Sequence, residues 1–273
     1  MSRPATLALA ACALLLALLI GACSDPWNEI SRLHGSPEPG PGFGLLHRAS
    51  LAGDGAALKQ ALAQKTDPHA RDALGLTPLH LAADAATAQA LLKAGADVQA
   101  RDKRLHTPLH LARSQDVARV LLQAGASPKA KNRFNFTPLH TAILLDRLTV
   151  AQVLRKAGAD LEAQARNRMT PLHWAALTGK DEAVAWLIRA GADIEARNAY
   201  GCTPLHEADN AQVVRLLIQA GANVEARDSQ GMTPLHLARG SAVAEALMEA
   251  GADALARDAA GRTPLDMVAP EEE

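Results

Sequence analysis

Apolar positions come in short bursts that recur along the chain. Leu79 and Ala82, Leu109 and Ala112, and their equivalents lie three residues apart, which places one face of a short helix inward. A second burst follows in each unit, as at Leu91-Leu92, Leu121-Leu122, Leu187-Ile188 and Leu216-Leu217-Ile218. It predicts a second helix that stops where Gly95, Gly125, Gly158, Gly191, Gly221 and Gly251 take the left-handed conformation just past its end. A polar segment then leads to the next unit.

The punctuation is as regular as the apolar pattern. Thr-Pro-Leu-His begins at Thr77, Thr107, Thr137, Thr170, Thr203 and Thr233, and Thr-Pro-Leu-Asp at Thr263, at successive spacings of 30, 30, 33, 33, 30 and 30 residues. Thr caps a helix start, and Pro suits the first helical position because no N–H is needed there. The 30-residue units lack three residues between their helices, close to one helical turn. The first helix is therefore expected to shorten while its apolar face stays aligned. No unit is large enough to bury its own face, so neighbours must stack.

These Thr-Pro-Leu-His and Gly-Ala-Asp blocks, in register, resemble the ankyrin repeat over residues 44–273. The resemblance implies an all-α solenoid of stacked helix-turn-helix units with protruding finger loops. Its units would be 44–76, 77–106, 107–136, 137–169, 170–202, 203–232 and 233–262, with a C-terminal half-repeat at 263–273. The first unit, Gly44-Leu45-Leu46-His47, lacks Thr-Pro, and the last is expected to fray. The family's motif histidine joins a hydrogen-bond network with the Thr hydroxyl and nearby backbone, which implies a structural role for His47, His80, His110, His140, His173, His206 and His236.

The N-terminus reads as an address. Met1-Ser2-Arg3 is followed by an uncharged Leu- and Ala-rich run, then Ile20-Gly21-Ala22-Cys23. This resembles a bacterial lipoprotein signal peptide over 1–22, with Cys23 as the lipidated residue. A plain signal peptide and an uncleaved anchor are the competing readings. Ser24 after the Cys leans toward the outer membrane. Residues 23–43, with Pro37, Pro39 and Pro41 between glycines, read as the lipidated Cys and a tether.

Composition narrows the function classes. The chain of 273 residues carries 28 Lys+Arg against 29 Asp+Glu, so no global charge points to nucleic acid. Hydrophobic residues make up 48% but aromatics only 3%, which favours closely stacked helices. Three cysteines, Cys12, Cys23 and Cys202, make neither a disulfide framework nor a Cys-only zinc site. The motif histidines sit on elements too far apart to share one metal. No nucleophile elbow or Walker sequence appears, and the repeats use up the chain. The expectation is a monomeric, non-catalytic protein without a cofactor. Cys202, at a finger base, reads as a structural thiol.

Four departures from regularity meet in the central repeats. The units beginning at Thr137 and Thr170 keep the extra positions Leu144-Leu145 and Leu177-Thr178. Leu105, Asn135 and Arg168 replace the finger glycine found at Gly75, Gly201, Gly231 and Gly261, so those three fingers are expected to adopt another turn. Arg101, Lys103, Arg104, Lys129, Lys131, Arg133, Arg166 and Arg168 crowd the same fingers. Every ring after residue 43 lies between Phe134 and Tyr200. Ankyrin proteins bind through finger tips and the concave face of their first helices. The expected contact centre is Arg133, Phe134, Phe136, Leu144, Leu145, Arg166, Asn167, Met169, Trp174 and Leu177, with Phe and Trp as anchors and the basic residues steering. The partner expected is a protein of the cell envelope, reached from a lipid anchor on the periplasmic side. The alternative is an anionic envelope component or other polyanion held by the basic fingers.

Overall fold

The computed structural model of the chain describes residues 42–267. In chain order its α-helices are α1 Leu45–Ala52, α2 Gly55–Ala63, α3 Ala85–Lys93, α4 Gln115–Gln123, α5 Pro138–Leu144, α6 Leu148–Lys156, α7 Pro171–Leu177, α8 Asp181–Arg189, α9 Ala211–Gln219 and α10 Ser241–Glu249. No strand occurs among the described residues. The longest helices have nine residues, below the roughly 12–15 at which an isolated helix becomes even marginal in water. Stacking supplies the difference. Leu58, Leu91, Leu121, Leu154, Leu187, Leu217 and Leu247 hold one register of the outer helices, and all are sealed from solvent. Leu46, Leu79, Leu109, Leu139, Leu172, Leu205 and Leu235 do the same for the inner elements, and both rows join one continuous core.

The inner element is an α-helix only in α1, α5 and α7. In the 30-residue units it is a four-residue 3₁₀ turn, at Pro78–Leu81, Pro108–Leu111, Pro204–Glu207 and Pro234–Leu237. This corrects the expected shortened α-helix. Four residues leave little room for bonds of the α type, so the turn closes with the tighter i+3 bond, as from His80 N–H to Thr77 O at 3.0 Å. Three of the short units recover hydrogen bonds at the next helix start, whereas α10 opens at Gly240 without a side-chain cap. Asp84, Ser114 and Asn210 cap α3, α4 and α9 by accepting from Thr87, Val117 and Val213 N–H at 2.8, 3.3 and 2.8 Å. The long central units open α6 and α8 at Arg147 and Lys180 without a side-chain cap, while Asp54 caps α2 in the first unit.

The motif histidines link one unit to the next. In each unit with the full motif the Thr N–H donates to the His Nδ1 at 3.0–3.3 Å. That fixes Nδ1 as the acceptor and leaves the proton on Nε2. Nε2 then donates forward, to the carbonyl of the residue just before the next unit's Thr, at 3.0–3.4 Å for all seven histidines. Both ring nitrogens are thereby occupied. Burial, the largest influence on each, holds His80, His140 and His173 at a pKa of about 4 and His110 at about 3. In the last unit Asp266 takes the histidine's place, and its Oδ2 accepts from Thr263 N–H at 2.7 Å and Thr263 Oγ1 at 2.9 Å.

The fingers form a second ladder. Asp72, Asp102, Asn132, Asn198, Asp228 and Asp258 each accept two backbone N–H bonds, from residues two and four positions on. Backbone N–H groups of Lys103, Arg133, Arg166, Ala199, Ser229 and Ala259 donate to the preceding finger at 2.7–3.1 Å. Gly201 shows why glycine suits the turn: its φ is 77°, and a Cβ there would lie 2.9 Å from Ser229 N. Leu105 and Asn135 keep this turn at φ 64° and 61°, which corrects the expectation of another one. The side-chain bonds from Asp102 and Asn132 hold the left-handed residue in place. Only the finger ending at Met169 differs. Ala165 stands where the others have Asp or Asn, and Asn167 and Arg168 both adopt φ 58°. Phe43, placed in the tether by its sequence, packs on His47 with ring centroids 5.3 Å apart.

Two outcomes follow from these ladders. An unfolded histidine titrates near 6.5, so below that pH the unfolded chain binds more protons than the folded one. The histidine contribution is intact above about pH 6.5 and is lost as pH falls toward 4, at up to about 1.4 kcal/mol per pH unit for each residue. The urea midpoint should be clearly lower at about pH 5 than at about pH 7.5; equal midpoints would contradict this protonation scheme. Leu105→Gly removes a left-handed leucine and should stabilise by about 1 kcal/mol, seen as a higher urea midpoint with an unchanged slope.

Candidate functional site: the inner face of the central repeats

Finger and inner element meet at a fixed register. The residue four positions after each Thr, at Leu81, Leu111, Thr141, Trp174, Glu207 and Leu237, lies beneath the finger. In the first repeats this register and the finger form a small apolar cluster of Leu76, Leu81 and Leu111, with Phe43, Leu51 and Leu74 packed on it. In the central repeats the same register makes a second cluster, of Phe136, Ala165, Met169, Trp174 and Leu177, against which Phe134 and Leu144 pack half-buried. The Phe136 and Trp174 rings meet edge-on with centroids 5.0 Å apart, Phe136 stacks on His140 at 5.6 Å, and Phe134 lies 6.2 Å from Phe136.

The expected contact centre is thus brought together but divided. Phe136 and Trp174 are each 5% exposed, and Met169 and Leu177 are buried with them. The expected role of Phe136 and Trp174 as anchors protruding into a partner is corrected: Trp174 packs beneath the finger ending at Met169, edge-on to Phe136. Trp174→Ala would empty that space and so would report folding rather than capture. Phe134, Leu144 and Leu145 remain half-exposed, Arg133 and Arg166 are exposed at the finger tips, and Asn167 forms the left-handed turn.

Two polar atoms mark this cluster. Asn132 Oδ1 accepts from Phe134 and Phe136 N–H at 2.9 and 3.0 Å, which fixes its amide orientation, yet its buried Nδ2 has no acceptor among the described residues. The Trp174 Nε1 is buried without an acceptor as well. Such orphaned donors are uncommon in folded proteins. The equivalent finger residue two units on, Asn198, donates from Nδ2 to Glu207 Oε1 at 3.0 Å. Asn132 has Thr141 at that register, and the Thr141 hydroxyl is directed to His110 and Pro138 carbonyls instead. Glu207 is itself buried, and burial raises its carboxyl pKa while Arg239 and Asn198 pull the other way. No motif singles out Glu207, although Pro204-Leu205-His206-Glu207 breaks the usual apolar fourth position.

Some basic finger residues have structural partners. Arg101 Nη1 donates to Lys131 O at 3.2 Å, and Lys131 Nζ to Gln164 O at 3.3 Å. Arg168 Nε reaches Gln164 Oε1 at 3.4 Å. Arg197 and Arg227 tie later fingers in the same way, each at 2.7 Å from the carbonyl 30 residues on. Arg101 and Lys131 are therefore ties between neighbouring fingers, which limits the steering role expected of them. Lys103, Lys129, Arg133 and Arg166 are exposed, and Arg104 is half-exposed. Asp102 pairs with His106 Nδ1 at 2.9 Å in a buried contact, and the bond holds the Asp102 carboxyl below its ordinary range against the opposing effect of burial. Cys202 is buried and its carbonyl accepts from His173. Cys23, the leader at 1–22, the tether up to residue 41 and the expected fraying beyond 267 lie outside the described residues.

The comparisons agree with this architecture. The family described as Ankyrin repeats (3 copies) matches residues 46–132, 86–165, 139–228 and 172–258. No curated protein matches the chain. Among solved structures, the human ASB11 ankyrin repeat domain is 29% identical with a TM-score of 0.69, covering 76% of this chain and 97% of that one. The ankyrin repeat domain of Bcl-3, described as a unique member of the IkappaB protein family, is 28% identical with a TM-score of 0.63, covering 76% of this chain and 99% of that one. On the family match and the stacked units together, this chain belongs to the ankyrin-repeat family.

Proposed function

We propose that this chain is a non-catalytic protein-binding module of the bacterial cell envelope, lipid-anchored through Cys23 and capturing a protein partner on the fingers and inner face of its central repeats. Ankyrin repeat domains generally mediate protein–protein interaction. The observation that carries the reading is the central cluster, where Phe134 and Leu144 pack half-exposed beside two buried N–H donors that find no acceptor among the described residues. A partner supplying apolar surface and a hydrogen-bond acceptor suits that chemistry. The exposed Lys103, Lys129, Arg133 and Arg166 lie on the adjoining fingers and give the approach a positive field.

Replacing Phe134 with the photocrosslinker benzoylphenylalanine in native cells tests the surface. Irradiation should give a discrete protein adduct at that position and none from Gln152, exposed on outer helix α6. Equal adducts from both positions, or none from either, would remove the central repeats as the contact surface. Adduct formation that disappears steeply with salt, with polyanion recovered in place of protein, would favour the anionic-component reading. The anchor is tested separately by the mass of the mature N-terminus, which should begin at a lipid-modified Cys23; an intact Met1 or an unmodified Cys23 would end the lipoprotein assignment.

A further inference from the structure

The inner elements begin at the fingers, so their C-terminal ends and the turns into the outer helices lie along the opposite edge of the inner face. Basic residues on this edge reach back toward the preceding unit. Arg239, six positions after Thr233, lies 3.5 Å from Glu207 Oε2 and 3.9 Å from Asp209 Oδ1. Lys180 reaches Asp146 at 3.0 Å. Arg113 stands six positions after Thr107, in the register of Arg239, and it spans the second unit to donate from Nη1 to Leu51 O at 3.3 Å. Arg147 donates from Nη1 to the Leu111 and Ala112 carbonyls, each at 3.0 Å. The Ala112 carbonyl belongs to the peptide that carries the Arg113 nitrogen, so the two arginines are neighbours.

Their surroundings differ from those of Arg239 in one respect. Where Glu207 and Asp209 answer Arg239, the same two positions ahead of Arg113 are Leu81 and Ala83. Neither Arg113 nor Arg147 has a carboxylate partner among the described residues. Both are half-buried. Burial, and then the charge of Arg113, pushes Arg147 down to about 10; burial also lowers Arg113. The two partly desolvated guanidiniums lie on one edge, the charge of Arg113 is felt at Arg147, and an anion drawn to that edge would offset the cost of their burial. Their bonds to protein use Nη1 alone, which leaves Nε and Nη2 of each as donors for a carboxylate's two oxygens.

We propose that Arg113 and Arg147 form a binding site for a carboxylate from an acidic segment of the protein partner, which fills the place that Glu207 and Asp209 fill for Arg239. This rests on the protein-binding reading above and specifies the partner's chemistry. Leu144 and Leu145 stand between Arg147 and the central cluster along the chain, so an acidic residue followed by an apolar one matches the surface.

The test uses the full chain labelled with 15N-arginine, titrated with the peptide acetyl-Glu-Leu-Glu-amide, its Gln-Leu-Gln counterpart, and inorganic phosphate. The Nε–H signals of Arg113 and Arg147, assigned through Arg113→Gln and Arg147→Gln, should shift saturably with the Glu peptide. The signal of Arg239 should stay in place, and the Gln peptide should move none of the three. The double variant should bind the Glu peptide at least tenfold more weakly; if it does not fold, Arg113→Gln alone should still weaken binding severalfold. Unmoved signals, or equal shifts at every exposed arginine, would overturn the site. Phosphate that reproduces the shifts at equal concentration would overturn its assignment to a carboxylate. Adducts from position 134 with unmoved arginines would retire this site and leave the protein-binding reading standing, whereas shifted arginines without adducts would keep Arg113 and Arg147 as a carboxylate site but overturn its assignment to a protein partner.

Discussion

No unit of this protein can hide its own apolar face. Each offers a helix of nine residues or fewer and an inner element that in the short units is a single 3₁₀ turn. Contact with the next unit is therefore the condition for any of them to be ordered. The buried histidines make that contact specific as well as apolar. A leucine row would tolerate some sliding of one unit over another. An imidazole that must meet one carbonyl while accepting from its own threonine does not, because a slip would strand buried donors and acceptors.

Polar roles are divided between the two edges of the inner face. On the finger edge, Asp and Asn side chains fold the turns, and Arg and Lys side chains tie each finger to the next. Much of the positive charge there is already committed to carbonyls. On the opposite edge, arginines and a lysine turn back along the stack, and carboxylates answer only some of them. Between the edges lie two apolar clusters, one at each end of the run from Leu51 to Leu177. The inner face is thus a sequence of chemically distinct positions rather than a uniform groove.

Much of this architecture is legible in the order of residues alone. Thr-Pro-Leu-His marks the start of the inner elements, and the recurring glycines mark where the outer helices stop, because both signals act within a few residues of chain. The 30- and 33-residue spacings locate α5 and α7, two of the three α-helical inner elements, though not that the short ones collapse to 3₁₀ turns, which depends on a balance of hydrogen bonds in four residues. Leu105 and Asn135 keep the glycine turn against expectation because side-chain bonds from Asp102 and Asn132 outweigh the cost of a left-handed residue. Trp174 and Phe136 look available in the repeat pattern because their burial comes from the finger folded over them, a relation visible only in three dimensions. Asn198, Glu207 and Arg239 come from three successive units, and local motifs say nothing about such a meeting.

The histidine ladder also has a direction. Every imidazole accepts from its own unit and donates to the following one, so the bonds all run the same way along the stack. At Asp266 that polarity is terminated chemically: a carboxylate accepts from Thr263 as the imidazole would, but it carries no forward N–H. A histidine there would hold out a donor requiring another unit to receive it, and an aspartate holds out nothing. One residue thus acts like a chain terminator in a polymerisation, ending the ladder without leaving a reactive end.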